Sequence, residues 1–409
     1  MRHFLKIGAF LWEYDRPDWP ILSFPTSGFL TVDPSTTLEE EKERHFSEGV
    51  YCPVNIGDVL NEHYQVVGKL GFGRESTCWL ARDIKKWRYV TLKIFIRGKE
   101  NQTREVETYE LLRQHSNHPG QGFIREILGK FKIPRPDQDS HICLVHKPLL
   151  ASLYDVLCMT GSQPGRNIVK RVIWETLSAL DYLHRECKLV HTDIKPDNIM
   201  YEIDDDYILE KFVRDELDEP SPRKIVDGHP VYCSRLFDPP KSCGKSFLCD
   251  FGRAVSGEEE RNENCQPVVS RSPEALLAVN WSYPVDIWNV GVMTWLLLEG
   301  NSLFTCKHPT TGQFSSAAHL GQISGILGPP PLDLLKRGEC ANLWYDEEGN
   351  LKDKEITIVP RNLENDEAQL EGEEKKEFLF FMRCMIQWRP EDRKTTAELL
   401  EHTWLNFHS

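Results

Sequence analysis

Apolar and polar positions along the chain follow two different rhythms. From Tyr64 to about Ile133 the apolar runs are short and broken by glycine, as strands are. QVVGKLGFGRESTCWLARD holds two such runs around a glycine turn, and YVTLKIFI adds a third rich in β-branched residues. Between them, REVETYELLRQ spaces Val106, Tyr109 and Leu112 as one helix does. Past His146 the spacing turns helical. Val169, Val172, Ile173, Leu177, Leu180 and Leu183 fall on one stripe, which predicts a long helix facing a core. PVDIWNVGVMTWLLLEG is apolar on nearly every side, the pattern of a helix at the centre of a large unit. Near the end, Thr395 and Glu398 stand at capping-box spacing. The pattern predicts an α+β chain, with a small strand-rich part followed by a large helical one.

Two stretches fit neither rhythm. Residues 1–50 are irregular, with Pro17, Pro20, Pro25 and Pro34 ahead of the acidic LEEEKE, and read as an extension reaching residue 63. Tyr201–Phe247 is polar, acidic and proline-containing, and reads as a loop insertion too long for ordinary architecture. The expected division is therefore an extension over 1–63, a strand-rich unit over 64–147 and a helical unit over 148–409. The last carries the insert at about 201–247.

At 409 residues, 40% hydrophobic and 27% charged, the composition is that of a soluble globular protein with a large core. The most apolar stretch, Val285–Leu298, is interrupted by Asp286 and Asn289 and is too short to span a bilayer, so no membrane partner is expected. MRHFLKIGAFLWEYDRPDW lacks both a long apolar run and a small-residue cleavage site, which argues against secretion. Twelve cysteines without a CxxC pair fit reduced thiols inside a cell. His229, Cys233, Cys243 and Cys249 match no common zinc spacing and read as small buried groups. The formal charge of −14 disfavours nucleic acid as a direct ligand. The acidic clusters in Glu202–Glu219 and Glu364–Glu377 read as solvated faces, with attraction to a cationic partner as the alternative.

Four short motifs carry the candidate chemistry. Gly71 and Gly73 sit in LGFGRESTCW between strand-like runs, where missing side chains let backbone N–H groups approach phosphates. No GK[ST] follows, so this is not a Walker loop. Lys93, in VTLK on the third strand, needs an anionic partner if it points inward; nucleotide phosphates would serve, with Glu105 as the positioning carboxylate. A snorkelling surface lysine is the alternative. HTDIKPDNI is more specific. Asp193 would take the proton of an attacking hydroxyl, Lys195 would steady a transferring phosphoryl group, and Asn198 offers a neutral oxygen to Mg²⁺. CDFG then supplies Asp250, a carboxylate able to bridge Mg²⁺ to phosphates.

Four such motifs in this order resemble a protein kinase from roughly Tyr64 to Phe407. The resemblance implies a bilobal fold that uses ATP and Mg²⁺. It implies nucleotide contacts from Leu70, Gly71, Phe72, Gly73, Ser76, Cys78, Lys93, Lys147 and Leu149. Lys93 and Glu105 would form an ion pair, Asp193 would be the proton acceptor beside Lys195, and Asn198 and Asp250 would hold the metal. Glu274 in SPE is expected to pair with Arg393, and Asp286 matches the Asp that opens the central helix. HTDIKPDNI, GFGRESTCWLARD, LVHKPL and SYPVDIWNVGVM look most like the SR-protein kinases of the CMGC group, especially short fungal-type members. That implies serine phosphorylation of basic Arg/Ser-rich, splicing-related proteins by a monomer of the cytoplasm and nucleus.

The departures are informative. Thr91, Cys78 and Lys147 replace the residues usual around adenine, which keeps a scaffold that binds partners without catalysis as an alternative. SAAHLGQISGILG has no Asp or Glu, although the corresponding helix of better-known SR-protein kinases contributes docking acids; a kinase with a different substrate is the second alternative. Thr192 replaces the arginine that usually demands a phosphorylated activation segment. That segment, RAVSGEEERNENCQPVVSRSPE, has no Thr or Tyr, and Glu258–Glu260 are candidates to anchor it to nearby cations. The expectation is a kinase competent without upstream phosphorylation.

Overall fold

The computed structural model describes residues 17–98, 100–114, 117–135, 140–238 and 244–406. These group into two compact units. The first combines residues up to Gln102 with Arg125–Leu150 and Ile203–Pro240; the second holds Thr103–Ile124, Ala151–Glu202 and everything from Lys241.

The strand-like runs of the first unit form one antiparallel sheet: β1 (Val59–Leu60), β2 (Tyr64–Gly73), β3 (Ser76–Asp83), β4 (Arg88–Phe95), β5 (Ile127–Pro134) and β6 (Ser140–His146). Their order is β1-β2-β3-β4-β6-β5. Val66, Trp79, Ala81, Val90, Leu92, Ile94, Cys143 and Val145 pack its core. Two register shifts, between Val66 and Gly68 and between Lys69 and Gly71, bend β2 just ahead of its glycines.

Tyr201–Phe247 is not the loop that its polarity suggests. Leu209, Phe212, Val213 and Glu216 form the buried stripe of a helix, Tyr207–Asp218. Arg223–Val226 then pairs with His229–Tyr232 across Asp227–Gly228, both at positive φ as a tight hairpin requires. Within this stretch, Ile203–Pro240 folds with the first unit rather than with the helical part that flanks it in sequence. Gly68 explains the fit: a Cβ there would lie 2.7 Å from the Phe212 ring, so only glycine lets the helix close on β2.

The extension is equally integral. Trp19 stacks on Trp87 at 5.5 Å and carries the Arg82 guanidinium over its ring. Thr31 bridges to Arg223, adding a backbone segment beside the insert hairpin. Three of the four acids of LEEEKE are spent internally. Glu39 and Glu40 pair with Lys69, whose side chain is fully buried, and Glu41 lies 2.9 Å from Lys224. Glu216 of the insert is likewise buried, pairing with Arg235 at 3.0 Å rather than lying on a solvated face.

In the second unit the predicted stripe appears on Arg166–Asp181, where Val169, Val172, Ile173, Leu177 and Leu180 are buried; Leu183 continues it in one π-helical turn. Pro284–Glu299 is the all-round buried helix. Thr395 and Glu398 cap Thr396–Leu400 reciprocally. Glu274 and Arg393 meet through two bonds of 2.6 and 2.7 Å with no exposed side-chain surface. Among the described residues no helix is long and apolar enough to cross a membrane.

Candidate active site

HTDIKPDNI leaves the short strand Leu189–Val190 and turns sharply, with Thr192 at φ +68°. Asp286, buried at the start of the central helix, holds the turn by accepting the amides of His191 and Thr192 at 2.8 Å each and His184 Nε2 at 2.9 Å. His191 accepts the Asp193 amide at Nδ1 and donates from Nε2 to the Cys249 carbonyl. The loop is thereby fixed to the strand that leads into Asp250.

On that frame Asp193 and Asn198 are nearly buried. Asn198 donates its amide to the Asp193 carbonyl (2.8 Å) and to Asp193 Oδ2 (3.0 Å). Lys195 Nζ lies 3.3 Å from the same Oδ2. With its nitrogen used inside the loop, Asn198 has its amide oxygen left as an acceptor. Ile199–Glu202 pairs with Ser246–Leu248, which brings Asp250 to the end of the neighbouring strand. Asp250 itself is left-handed, at φ +63°, a conformation that costs a non-glycine residue and is met mostly where function demands it. Phe251 is buried edge-on to Tyr109 and His191, and Glu105 Oε2 would lie 3.3 Å from a Cβ on Gly252. Glu105 is thus brought to the DFG turn.

Asn198 and Asp250 are two oxygen donors. Among the described residues no group of three or more His, Cys, Asp or Glu could hold a metal unaided. The pair suits a divalent ion that takes its remaining ligands from phosphates and water. His229 and Cys233 gather into no such group, while Cys243 lies outside the described residues.

The first unit places the other candidates. A Cβ on Gly71 would meet nothing within 4 Å and one on Gly73 only the Ser76 carbonyl at 3.9 Å, so the hairpin is open for close approach to its backbone. Leu70 is half-buried, Phe72 exposed and Ser76 buried. Cys78 sits across from Gly71 on one side and Lys93 on the other, and Lys93 Nζ lies 5.2 Å from the Phe95 ring. Thr91 is buried with no partner for its hydroxyl, Lys147 is exposed and Leu149 buried.

The activation segment is tied down by its own chain. Thr192 Oγ1 donates to the Arg253 carbonyl at 2.9 Å. Val255–Ser256 pairs with Leu189–Val190, Gly257 N donates to the Lys188 carbonyl, and Ser282 Oγ donates to the Gly257 carbonyl. Arg261 pairs with Glu259 and, at 3.0 Å, with Glu263, while Asn280 donates to Glu260. Among the described residues the cation that engages these acids belongs to the segment itself. The support given by Asp286 and the Thr192 hydroxyl bond are the features that motif reading did not reach: Asp286 lies 94 residues from Thr192 in sequence.

Comparison with known proteins agrees with this geometry. The protein kinase domain profile matches residues 64–227 and 236–405. A serine/threonine protein kinase of Aspergillus fumigatus is 38% identical over 386 residues, 93% of this chain and 94% of that one. SRSF protein kinase 3 of Homo sapiens is 24% identical over 520 aligned positions, covering 90% of both chains. The crystal structure of another kinase domain superposes with a TM-score of 0.68 over 88% of this chain and all of its own, at 24% identity. The family match over most of the length, and the relative aligned nearly end to end, place the chain in the protein kinase family as a serine/threonine kinase similar to the SR-protein kinases.

Proposed function

We propose that this kinase phosphorylates serines in basic, Arg/Ser-rich proteins and is competent without phosphorylation of its activation segment. ATP bound with Mg²⁺ supplies the γ-phosphoryl group. Gly71, Gly73 and Lys93 would hold the phosphates, with Glu105 positioning Lys93, and Asn198 and Asp250 would hold the metal. Asp193 receives the substrate hydroxyl proton. Its Oδ2 is engaged by Asn198 and Lys195, which leaves Oδ1 for the hydroxyl. Lys195 balances the charge that develops on the transferring group.

The observation that carries competence without phosphorylation is the Thr192–Arg253 hydrogen bond. An arginine at 192 would be an almost buried cation in need of an anion; threonine is neutral and spends its hydroxyl on the segment directly. The basic substrate class is supported by the net charge of −14 and by the relative named SRSF protein kinase 3. A second substrate reading draws on the helix Ser316–Leu327, which presents no carboxylate to arginines.

The test is bacterial expression, phosphatase treatment and assay of an Arg/Ser-rich peptide with Mg-ATP, followed by a positional-scanning array. Activity only after an added kinase acts would refute autonomous competence. Indifference to arginine beside the acceptor serine would favour the second substrate reading. Lys93→Met and Asp193→Ala abolish turnover if the chain is a catalyst, and a scaffold would keep its function in both.

A further inference from the structure

We propose that Tyr51 is a positioning residue for the glycine-rich loop, and that extension and insert together brace this loop and set its affinity for nucleotide phosphates. This rests on the kinase reading above and assigns part of its nucleotide site to residues outside the matched domain.

The loop tip is where β2 turns into β3. Tyr51, thirteen residues before β2 begins, places its hydroxyl 2.9 Å from the Gly73 carbonyl and 3.1 Å from that of Arg74. A phenol has one proton to donate, so the two carbonyls share it. Phe46 packs against the ring at 5.8 Å, which locates the hydroxyl independently of the loop. Behind the tip, Lys69 anchors β2 from the opposite end of the glycine run. Its ammonium pairs with Glu39 at 2.8 Å and with Glu40, and donates to the Tyr232 carbonyl at 2.9 Å. Its own carbonyl accepts the Arg235 amide at 2.8 Å. Glu39, Glu40 and Tyr51 come from the extension; Tyr232 and Arg235 come from the insert. Both ends of the glycine run are thus tied to segments with no catalytic residue of their own.

A loop with open space around Gly71 and Gly73 samples many conformations, and only some present their amides to a phosphate. Tethering the tip raises the populated fraction that is ready to bind, so apparent affinity rises by the same factor.

Tyr51→Phe removes the hydroxyl and keeps the ring on Phe46. The expected result is faster amide exchange across residues 70–76 in the nucleotide-free protein. Kd for a fluorescent ATP analogue should rise about 3- to 10-fold, the worth of one ordinary hydrogen bond. KM for ATP should rise by the same factor, with KM for peptide and kcat within about twofold of the parent. A general loss of packing would instead lower kcat and stability together and leave nucleotide affinity in the surviving folded fraction unaltered. Unchanged exchange at 70–76, or unchanged nucleotide Kd, overturns the proposal. Exchange and Kd are read without turnover, so a parent protein that binds nucleotide and transfers no phosphate would sink the kinase reading while the brace is still judged.

Discussion

His319 offers a stability measurement whose sign and size follow from its surroundings. It lies on Ser316–Leu327, is 1% exposed, and neither ring nitrogen has a hydrogen-bond partner. The Phe304 ring sits 5.0 Å away. Burial, with a smaller contribution from the Arg271 cation, pushes its pKa from 6.5 down to about 3. Because the folded pKa is depressed, the unfolded chain takes up a proton at this residue well before the folded one does. Stability is therefore fully present above about pH 6.5 and is lost as pH falls toward 3. At about pH 5 the unfolded histidine is 1.5 units past its midpoint, which at about 1.4 kcal/mol per unit favours unfolding by roughly 2 kcal/mol. At about pH 7.5 the effect is negligible. His319→Leu removes the titration, and the other ionisable groups are common to both proteins. Urea unfolding followed by tryptophan fluorescence at the two pH values should show the leucine variant gaining about 2 kcal/mol on the parent between pH 7.5 and pH 5. Parallel pH dependence of the two proteins would refute the account of an uncharged, unsatisfied imidazole.

Three further outcomes follow from the packing. Arg393→Met strands the Glu274 carboxylate and the Pro284 and Gln387 carbonyls, and should cost about 3–5 kcal/mol in thermal or urea unfolding; adding Glu274→Gln should recover part of that loss. Gly68→Ala drives a methyl against Phe212, should cost about 1–3 kcal/mol, and should speed limited proteolysis within 203–238, with Phe212→Ala in the same chain relieving the clash. Thr192→Val should lower activity of the phosphatase-treated enzyme about 3- to 10-fold through loss of the bond to Arg253, and Thr192→Arg should lower it further. Parental activity in the arginine variant would contradict the role given to the threonine.

What could be read along the chain was what is local. Asp193, Lys195 and Asn198 lie within six positions of one another, and their mutual contacts are contacts of one turn. The helix carrying Val169 to Leu180 was legible because its apolar stripe stands against a polar background. The insert helix has the same kind of stripe at Leu209, Phe212, Val213 and Glu216, but Glu210, Asp215 and Asp218 crowd it and one of its four buried positions is an acid. Its hairpin carried a plain signal, Asp227–Gly228 between two strand-like runs, that the acidic surroundings obscured. The cysteines, for their part, offered no spacing to misread. The Lys69 pairs were beyond sequence reasoning. Glu39 and Glu40 lie about 30 positions upstream and Tyr232 lies 163 downstream, and nothing in LEEEKE distinguishes an acid that meets water from one that meets a buried ammonium. Glu40 is an instance: burial outweighs the attraction of Lys69 and raises its pKa above the ordinary glutamate value.

The first unit is drawn from three separate lengths of chain, and the last ends only at Pro240. During synthesis the sheet strands up to His146 are complete long before Tyr232 and Arg235 have been made. Until then the Lys69 ammonium lacks a carbonyl that it needs in the interior, and the back of β2 lacks Phe212. A ribosome must therefore release the chain past Arg235 before its earliest strands can reach their final state. Chains cut short between residues 146 and 240 should be clients of chaperones and proteases rather than small stable domains.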